Sequence, residues 1–357
     1  MDPEEGNLLE KIAANKHEIS DFLDNFLEEW EKEDEAFEWR KDISRRLNEM
    51  VKGGKMVRGS LIIITSKLYG GGNREDCLRT AAAIELLHTG ILMHDDIIDK
   101  DDYRRRMKTF QRQYRELGEE KNIKEPSHYG MSMGMAGGDI SFFLGQNLIS
   151  RITSKPEKRE KVQELVFREF ADVGLAEQVD IHAGHSEEEM SQNEIIDLYK
   201  RKTARYTFSL PLKAGATLAG TNEKEQEKLY NIGEKIGVIF QLKDDELGLF
   251  GDQQKIGEEI GSDLDEDKKT VHRLKLLQKL SDEEEKRVRK MLGSELSQEE
   301  RDKITGLMEE KNVKQEVRKM MEEISEDVFE MIEELEVNAE GKDFLRDATK
   351  FCLNREK

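Results

Sequence analysis

The sequence predicts an all-α fold, a single domain of long helices. Three observations carry that prediction. The 357 residues include only 4 Pro, aromatics are 6% and charged residues 38%, a composition that favours helix over sheet. Apolar residues recur at helical spacing along most of the chain. Where the spacing stops, Gly clusters or polar stretches stand.

In chain order, residues 8–50 read as helices with Leu8, Leu9, Ile12, Ile19, Phe22 and Phe26 on an apolar face. Gly53-Gly54 break the pattern. A helix from about Met56, with Leu61, Ile62, Ile64 and Leu68, runs to Gly70-Gly71-Gly72, and a longer one from about Arg74 to Lys100. Residues 118–130, with Pro126, read as a polar loop. The run 131–150 is rich in small residues that let helices approach closely. The stretch 154–158 is a turn and 183–193 a polar loop. Residues 194–220 form a helix kinked near Pro211, and 224–247 a helix with Leu229, Ile232, Ile236, Ile239 and Phe240 on one face. A Gly-rich loop follows at 248–269, then charged amphipathic helix with a break near 293–298. No repeat or long linker divides the chain. The expectation is one domain over 1–357, with N-terminal helices to 50, a catalytic stretch at 51–275 and C-terminal helices at 276–357.

The pentad Asp95-Asp96-Ile97-Ile98-Asp99 is the strongest chemical signal. Asp95 and Asp99 lie one helical turn apart, so both carboxylates face one way. Such a pair suits Mg²⁺, which takes oxygen ligands and completes its shell with water and phosphate oxygens. Arg104, Arg105 and Arg106 follow with forked donors suited to phosphate. Ile84, His88, Ile91, Asp95 and Asp99 form one stripe running from apolar to acidic. Ile232, Ile236 and Phe240 lead to Asp244-Asp245 in the same way. Two such helices would wall a greasy cavity with metal at its mouth. Basic groups suited to phosphate stand beside Gly breaks or helix ends at Lys55 and Arg58, Arg104 and Arg105, Lys202, and Lys268.

The net charge of −20 argues against nucleic acid or an anionic membrane as the main partner. Cys77 and Cys352 form no metal-ligand spacing and imply a reducing compartment. No signal peptide and no membrane-spanning run is seen, so the expected location is cytoplasmic. His182 and His185 read as surface or packing residues rather than a metal pair.

The chain resembles the trans-isoprenyl diphosphate synthases of the polyprenyl synthetase family, and most resembles short-chain archaeal geranylgeranyl and farnesyl diphosphate synthases. The residues carrying the resemblance are Gly53 to Arg58, Glu85 to His88, and Asp95 to Asp99 with Arg104-Arg105. Further on they are Gly138-Asp139, Lys202-Thr203, Phe240 to Asp245, Gly251-Asp252, Gly261 to Leu264, and Lys268-Lys269-Thr270. The resemblance implies the isoprenoid synthase type I fold, a homodimer, and condensation of isopentenyl diphosphate with an allylic prenyl diphosphate. It implies three Mg²⁺ ions, with Asp95 and Asp99 on two and Asp244 on the third. It assigns Arg104 and Lys202 to the allylic diphosphate, and Lys55, Arg58, His88 and Arg105 to that of isopentenyl diphosphate. Thr203 and Gln241 would face the carbocation, and Lys268 would close over the leaving group. Glu177 and Asp180 stand near a family Gln-x-x-Asp position. Chain length would be set by Gly90, Ile91 and Leu87. Because Gly90 offers no bulk, the expected product is C20, within C15–C25.

Several positions depart from the family pattern. Met56 replaces Arg, Gly59 replaces Pro, Arg106 replaces Gly, Lys108 replaces Pro and Gln111 replaces His. Gly248 replaces the third Asp of the second motif, and Glu258 a common Lys. Glu258, Met56 and Gln111 leave room for a non-catalytic regulatory subunit, and a terpene cyclase or head-to-head synthase is a further alternative to an active synthase. Lys55, Arg58 and His88 argue against the latter.

Overall fold

The computed structural model describes residues 3–34, 36–251 and 260–356, with side chains from residue 10 onward. Asp252 and Glu258 fall outside the described residues. The chain forms two compact units, Met1–Val166 with Pro211–Asn222 and Phe167–Leu210 with Glu223–Lys357.

The first unit holds α1 (Pro3–Lys32), α2 (Trp39–Lys52), α3 (Val57–Leu68), α4 (Arg74–Ile98), a hairpin of β1 (Tyr103–Arg104) and β2 (Met107–Lys108), α5 (Phe110–Glu120) and α6 (Pro126–Ser150). Helix α4 is its centre and packs on α1, α3 and α6. Its middle, residues 80–90, is buried on every side. Ala81, Ala82, Ala83, Ile84 and Leu86 are all buried. Burying one such Ile stabilises the fold by about 1.5–3 kcal/mol. Asn73 caps the helix by accepting from the backbone N–H groups of Glu75 and Asp76.

Residues 126–130 belong to α6 rather than to a loop. Pro126 takes the first helical position, where its missing N–H costs nothing and its fixed φ is already helical. The polar connection is thereby reduced to residues 121–125. The small residues of α6 serve close packing. A Cβ placed on Gly138 would lie 2.4 Å from the ring Nε2 of His94 on α4.

Helix α7 (Pro156–Gly184) carries the chain onward to α8 (Gln192–Tyr199), which starts in a capping box between Ser191 and Glu194. Lys200–Ser209 then forms a π-helix, followed by α9 (Leu210–Ala219). A simple kink at Pro211 was expected. The wider turn instead precedes the proline and presses on α10 (Glu223–Phe250), which admits it at Gly237. A Cβ there would lie 2.3 Å from Cα of Ala204. Such π segments are rare and often functional.

In the second unit α10 is the central helix, packed on the π-helix and on two later helices. Beyond it come α11 (Ser262–Asp265), α12 (Val271–Lys279), α13 (Asp282–Met291), α14 (Gln298–Glu310), α15 (Val313–Glu333) and α16 (Ala339–Asn354). The break expected near 293–298 lies between α13 and α14, and Ser297 with Glu300 caps the latter. Among the described residues no helix is long and apolar enough to cross a membrane.

Candidate active site

Asp95, Asp96 and Asp99 end α4 in the first unit, with Asp99 at its C-cap. Asp99 is exposed, Asp95 partly buried and Asp96 fully buried. Arg104 pairs with Asp96, and lies 3.4 Å from Asp95 and 3.5 Å from Asp101. Burial pushes the Asp96 carboxyl up to about 6; Arg104 offsets part of this, while Asp101 and Asp95 add to it. One oxygen of Asp96 is buried with no hydrogen-bond partner. Burial works against the Arg104 charge, yet the three carboxylates hold its pKa above the ordinary value.

The turn beyond the pentad is fixed locally. Gln111 donates to the backbone carbonyls of Asp96 at 2.6 Å and Asp101 at 3.0 Å, so this Gln pins the end of α4. Arg105 and Arg106 occupy the hairpin turn with φ of 52° and 64°. Two positive φ values match the twist of a tight hairpin but strain side-chain-bearing residues, which explains why Gly is usual at position 106.

That turn swings Arg105 back over Gly54. A Cβ on Gly54 would lie 2.7 Å from Nη1 of Arg105, so a side chain here would push the Arg105 guanidinium aside. Lys55 beside it is exposed, and Arg58 is partly buried at the start of α3. His88 is buried among these cations. Burial first, and then Arg58, Arg105 and Arg104, keep its imidazole neutral far below the usual titration range. Arg58, His88 and Arg105 thus stand close together in the first unit, and Lys55 follows Gly54 in the chain.

Two departures from the family pattern have visible consequences here. Met56 is buried with φ of 52°, and its sulfur accepts from the Ser20 hydroxyl of α1 at 3.7 Å. Gly59 keeps a backbone N–H that proline would lack, and donates it to the buried carboxylate of Glu85 at 2.8 Å. Burial raises the Glu85 pKa despite the opposing pull of Arg58 and that N–H.

The three chain-length candidates do not share one face. A Cβ on Gly90 would meet Phe142 Cε1 at 2.6 Å and the Gly138 carbonyl at 2.9 Å. The Leu87 side chain fills the space beside Gly145, 2.7 Å from where its Cβ would be. Gly90 and Leu87 therefore face α6, and the room expected at Gly90 is occupied by Phe142. Ile91 alone of the three lies on the stripe of Ile84, His88 and Asp95.

In the second unit, Gln241, Asp244 and Asp245 lie near the end of α10. Asp245 is buried and accepts from the Tyr199 hydroxyl and from Gln241 Nε2, the latter at 2.9 Å. Burial, then the Asp263 charge, raises its pKa well above the carboxylate range. Asp244 is mostly exposed and pairs with Arg355. Lys202 and Thr203 sit in the π-helix, and Lys202 is held by Asp180 and, at 3.0 Å, by Glu177 of α7. Lys268 pairs with Glu266 at 3.0 Å and Asp263 at 3.4 Å. Asp263 lies beside Gly248, its Oδ2 3.7 Å from the position of a Cβ there. Thr203 is partly buried. His182 and His185 are exposed, and the His185 ring contacts the Ile181 carbonyl at 2.8 Å.

The donors suit a hard divalent cation: all are carboxylate oxygens, and Asp96 keeps an orphaned buried oxygen beside Asp95. Among the described residues no group of three or more His, Cys, Asp or Glu side chains is already placed to hold a metal ion. A cation there would draw its other ligands from water and diphosphate. Sequence reasoning missed Arg355, Tyr199 and Asp263 as neighbours of the second acidic pair; only Asp263 lay in a recognised motif.

Residues 40–310 match the model of the polyprenyl synthetase family. A short chain isoprenyl diphosphate synthase of Methanocaldococcus jannaschii is 30% identical over 288 residues, covering 81% of this chain and 77% of that one. A geranylgeranyl diphosphate synthase of Sulfolobus acidocaldarius is 32% identical over 250 residues, 70% of each chain. The crystal structure of geranylgeranyl pyrophosphate synthase from Corynebacterium glutamicum, complexed with isoprenyl diphosphate and magnesium, is similar with a TM-score of 0.89. It is 26% identical and the match covers 96% of this chain and 99% of that one.

Proposed function

The chain belongs to the polyprenyl synthetase family and is an isoprenyl diphosphate synthase, and we propose that it joins isopentenyl diphosphate to an allylic diphosphate, giving a C20 product. The whole chain works as one catalytic domain, as a homodimer in the cytoplasm. The observation that carries this reading is the gathering of Arg58, Arg105 and His88 next to the pentad helix. A cyclase has no use for a second diphosphate pocket.

Three Mg²⁺ ions, held by Asp95 and Asp99 and by Asp244, would neutralise charge developing on the departing diphosphate. Arg104 and Lys202 bind the allylic diphosphate by exchanging carboxylate partners for phosphate oxygens. Lys55, Arg58 and Arg105 hold the diphosphate of isopentenyl diphosphate. His88, kept neutral by burial and its arginine neighbours, donates one N–H there without adding charge. Thr203 and the carbonyl oxygen of Gln241 face the allylic cation as dipoles; the amide nitrogen of Gln241 is engaged by Asp245. Lys268 closes over the leaving group. The double bond attacks C1 of the cation, and the proton lost from the adduct goes to the released diphosphate. Ile91 is the residue on the Asp95 stripe that limits the growing tail.

Incubating the purified chain alone with labelled isopentenyl diphosphate, Mg²⁺ and C5, C10 or C15 allylic primers tests this. Chain elongation ending mainly at C20 is expected. No incorporation with any primer would favour the regulatory-subunit alternative, and a cyclic hydrocarbon made from the primer alone would favour a cyclase.

A further inference from the structure

We propose that Arg355 is the built-in counter-cation of Asp244 and competes with the divalent cation for that carboxylate. The inference rests on reading Asp244 as a metal ligand. Helix α16 ends at Asn354, and Arg355 leaves it with φ of −54° and ψ of 147°, its N–H still bonded to the Phe351 carbonyl. The side chain then lies along α10. Its guanidinium carbon stands 3.9 Å from the Phe240 ring centroid, a cation–π contact. Nη2 donates to the Phe240 backbone carbonyl at 3.3 Å and to Oδ1 of Asp244. Phe240 lies one turn before Asp244, so one face of α10 offers a ring, a carbonyl and a carboxylate in succession.

The two partners differ in exposure. The Arg355 side chain is 9% exposed and that of Asp244 54%. Arg355 is anchored by packing on Phe240, while the carboxylate remains open to solutes. A divalent ion can therefore reach Asp244, but it meets a positive charge already on one oxygen. Like charges on one carboxylate repel, so the ion and the guanidinium compete for Asp244. Arg355 thus holds the second acidic motif in a metal-free pairing and raises the cation concentration needed to load it.

Titration of the full chain with Mn²⁺, following the free ion by electron paramagnetic resonance without diphosphate, tests this. Arg355→Gln is expected to bind Mn²⁺ about two- to fivefold more tightly at the Asp244-dependent site, as fits a partly exposed ion pair. Arg355→Lys keeps the charge and should bind as wild type. In an Asp244→Asn background, Arg355→Gln should change nothing. Unchanged or weaker Mn²⁺ binding by Arg355→Gln overturns the proposal while leaving Asp244 as a ligand, provided Asp244→Asn removes one bound ion. Tightening in Arg355→Lys equal to that in Arg355→Gln overturns it too, since packing rather than charge would be the cause. If Asp244→Asn removes no bound ion, the metal reading of Asp244 itself fails. Circular dichroism and thermal unfolding of each variant separate these outcomes from loss of fold.

Discussion

The pentad on α4 and the acidic pair on α10 share one plan and differ in how they carry it out. In both, the outer acid meets solvent and an arginine, and the inner acid is buried. The inner acid Asp96 is paired with Arg104, only eight residues along the chain. The inner acid Asp245 is held by neutral donors, Tyr199 and Gln241. The first motif therefore takes its counter-charge from the adjoining hairpin, while the second draws Tyr199 and Arg355 from distant parts of the chain. Burial of charge without a paired cation drives the proton back onto the acid. Burial pushes Asp245 toward its uncharged form, while Asp96 is half of an ion pair.

The largest expected effects lie at the outer acids. Asp95→Asn should lower kcat by about 10³-fold, as expected when direct stabilisation of a developing charge is removed. Asp244→Asn should cost roughly 10²-fold and also raise the Mg²⁺ concentration for half-maximal rate. Steady-state rates across a Mg²⁺ series check both. Equal losses with no change in Mg²⁺ dependence would erase the distinction between the motifs.

The inner acids sharpen it. Asp96→Asn removes the charge that Arg104 meets in the interior and should destabilise the fold by about 2–4 kcal/mol. Asp245→Asn keeps an acceptor for Tyr199, and burial already favours the uncharged form it mimics, so about 1 kcal/mol or less is expected. Urea unfolding of the two variants compares them directly. A greater loss for Asp245→Asn would mean that it is ionised in the native protein.

A third test uses the two faces of α4. Gly90→Phe drives a ring into Phe142 and Gly138 and should lower the melting temperature by several degrees, an overpacking cost of about 1–3 kcal/mol. Ile91→Phe, on the Asp95 stripe, should leave the fold intact and shorten the product by about one C5 unit, since a helical turn advances ~5.4 Å. Calorimetry and product chromatography read the two effects separately.

The last test concerns the buried histidines, one in each unit, and acts only at acid pH. His88 belongs to the cationic cluster; His272 on α12 is buried with neither ring nitrogen hydrogen-bonded. Burial, helped by Lys314 and Lys243, pushes the His272 pKa down to about 3. The unfolded chain therefore binds a proton there between about pH 6.5 and 3 that the folded chain refuses. Its contribution to stability is present above pH 6.5 and is lost as pH falls. His272→Leu should flatten the acid limb of the stability curve by about 1.4 kcal/mol per pH unit within that window. An unchanged slope would show that His272 is not the titrating group.

The helical class was legible because the apolar stripes of α4 and α10 persist for several turns and end at Gly or polar breaks. The acidic motifs were legible because their spacing is local. What escaped has physical causes. The π-helix has a wider period than the one used to read the sequence, and its accommodation at Gly237 depends on tertiary contact. Pro126 was read as a breaker although it starts a helix as readily as it ends one. Gly90 offers no bulk of its own, yet the spacing that strings Ile84, His88, Ile91 and Asp95 together already puts Leu87 and Gly90 on a neighbouring face. Arg355 meets Asp244 across 111 residues, and no local pattern reports such a pairing.

The most direct test of the account is a double-variant cycle on the rate of isopentenyl diphosphate incorporation, using Asp95→Asn, Asp244→Asn and both together at saturating Mg²⁺. If both motifs act on one departing diphosphate, the double variant should fall within about tenfold of Asp95→Asn alone, because groups that work as a unit lose their effect together. Two losses that multiply in full, or a single variant with wild-type rate, would contradict it.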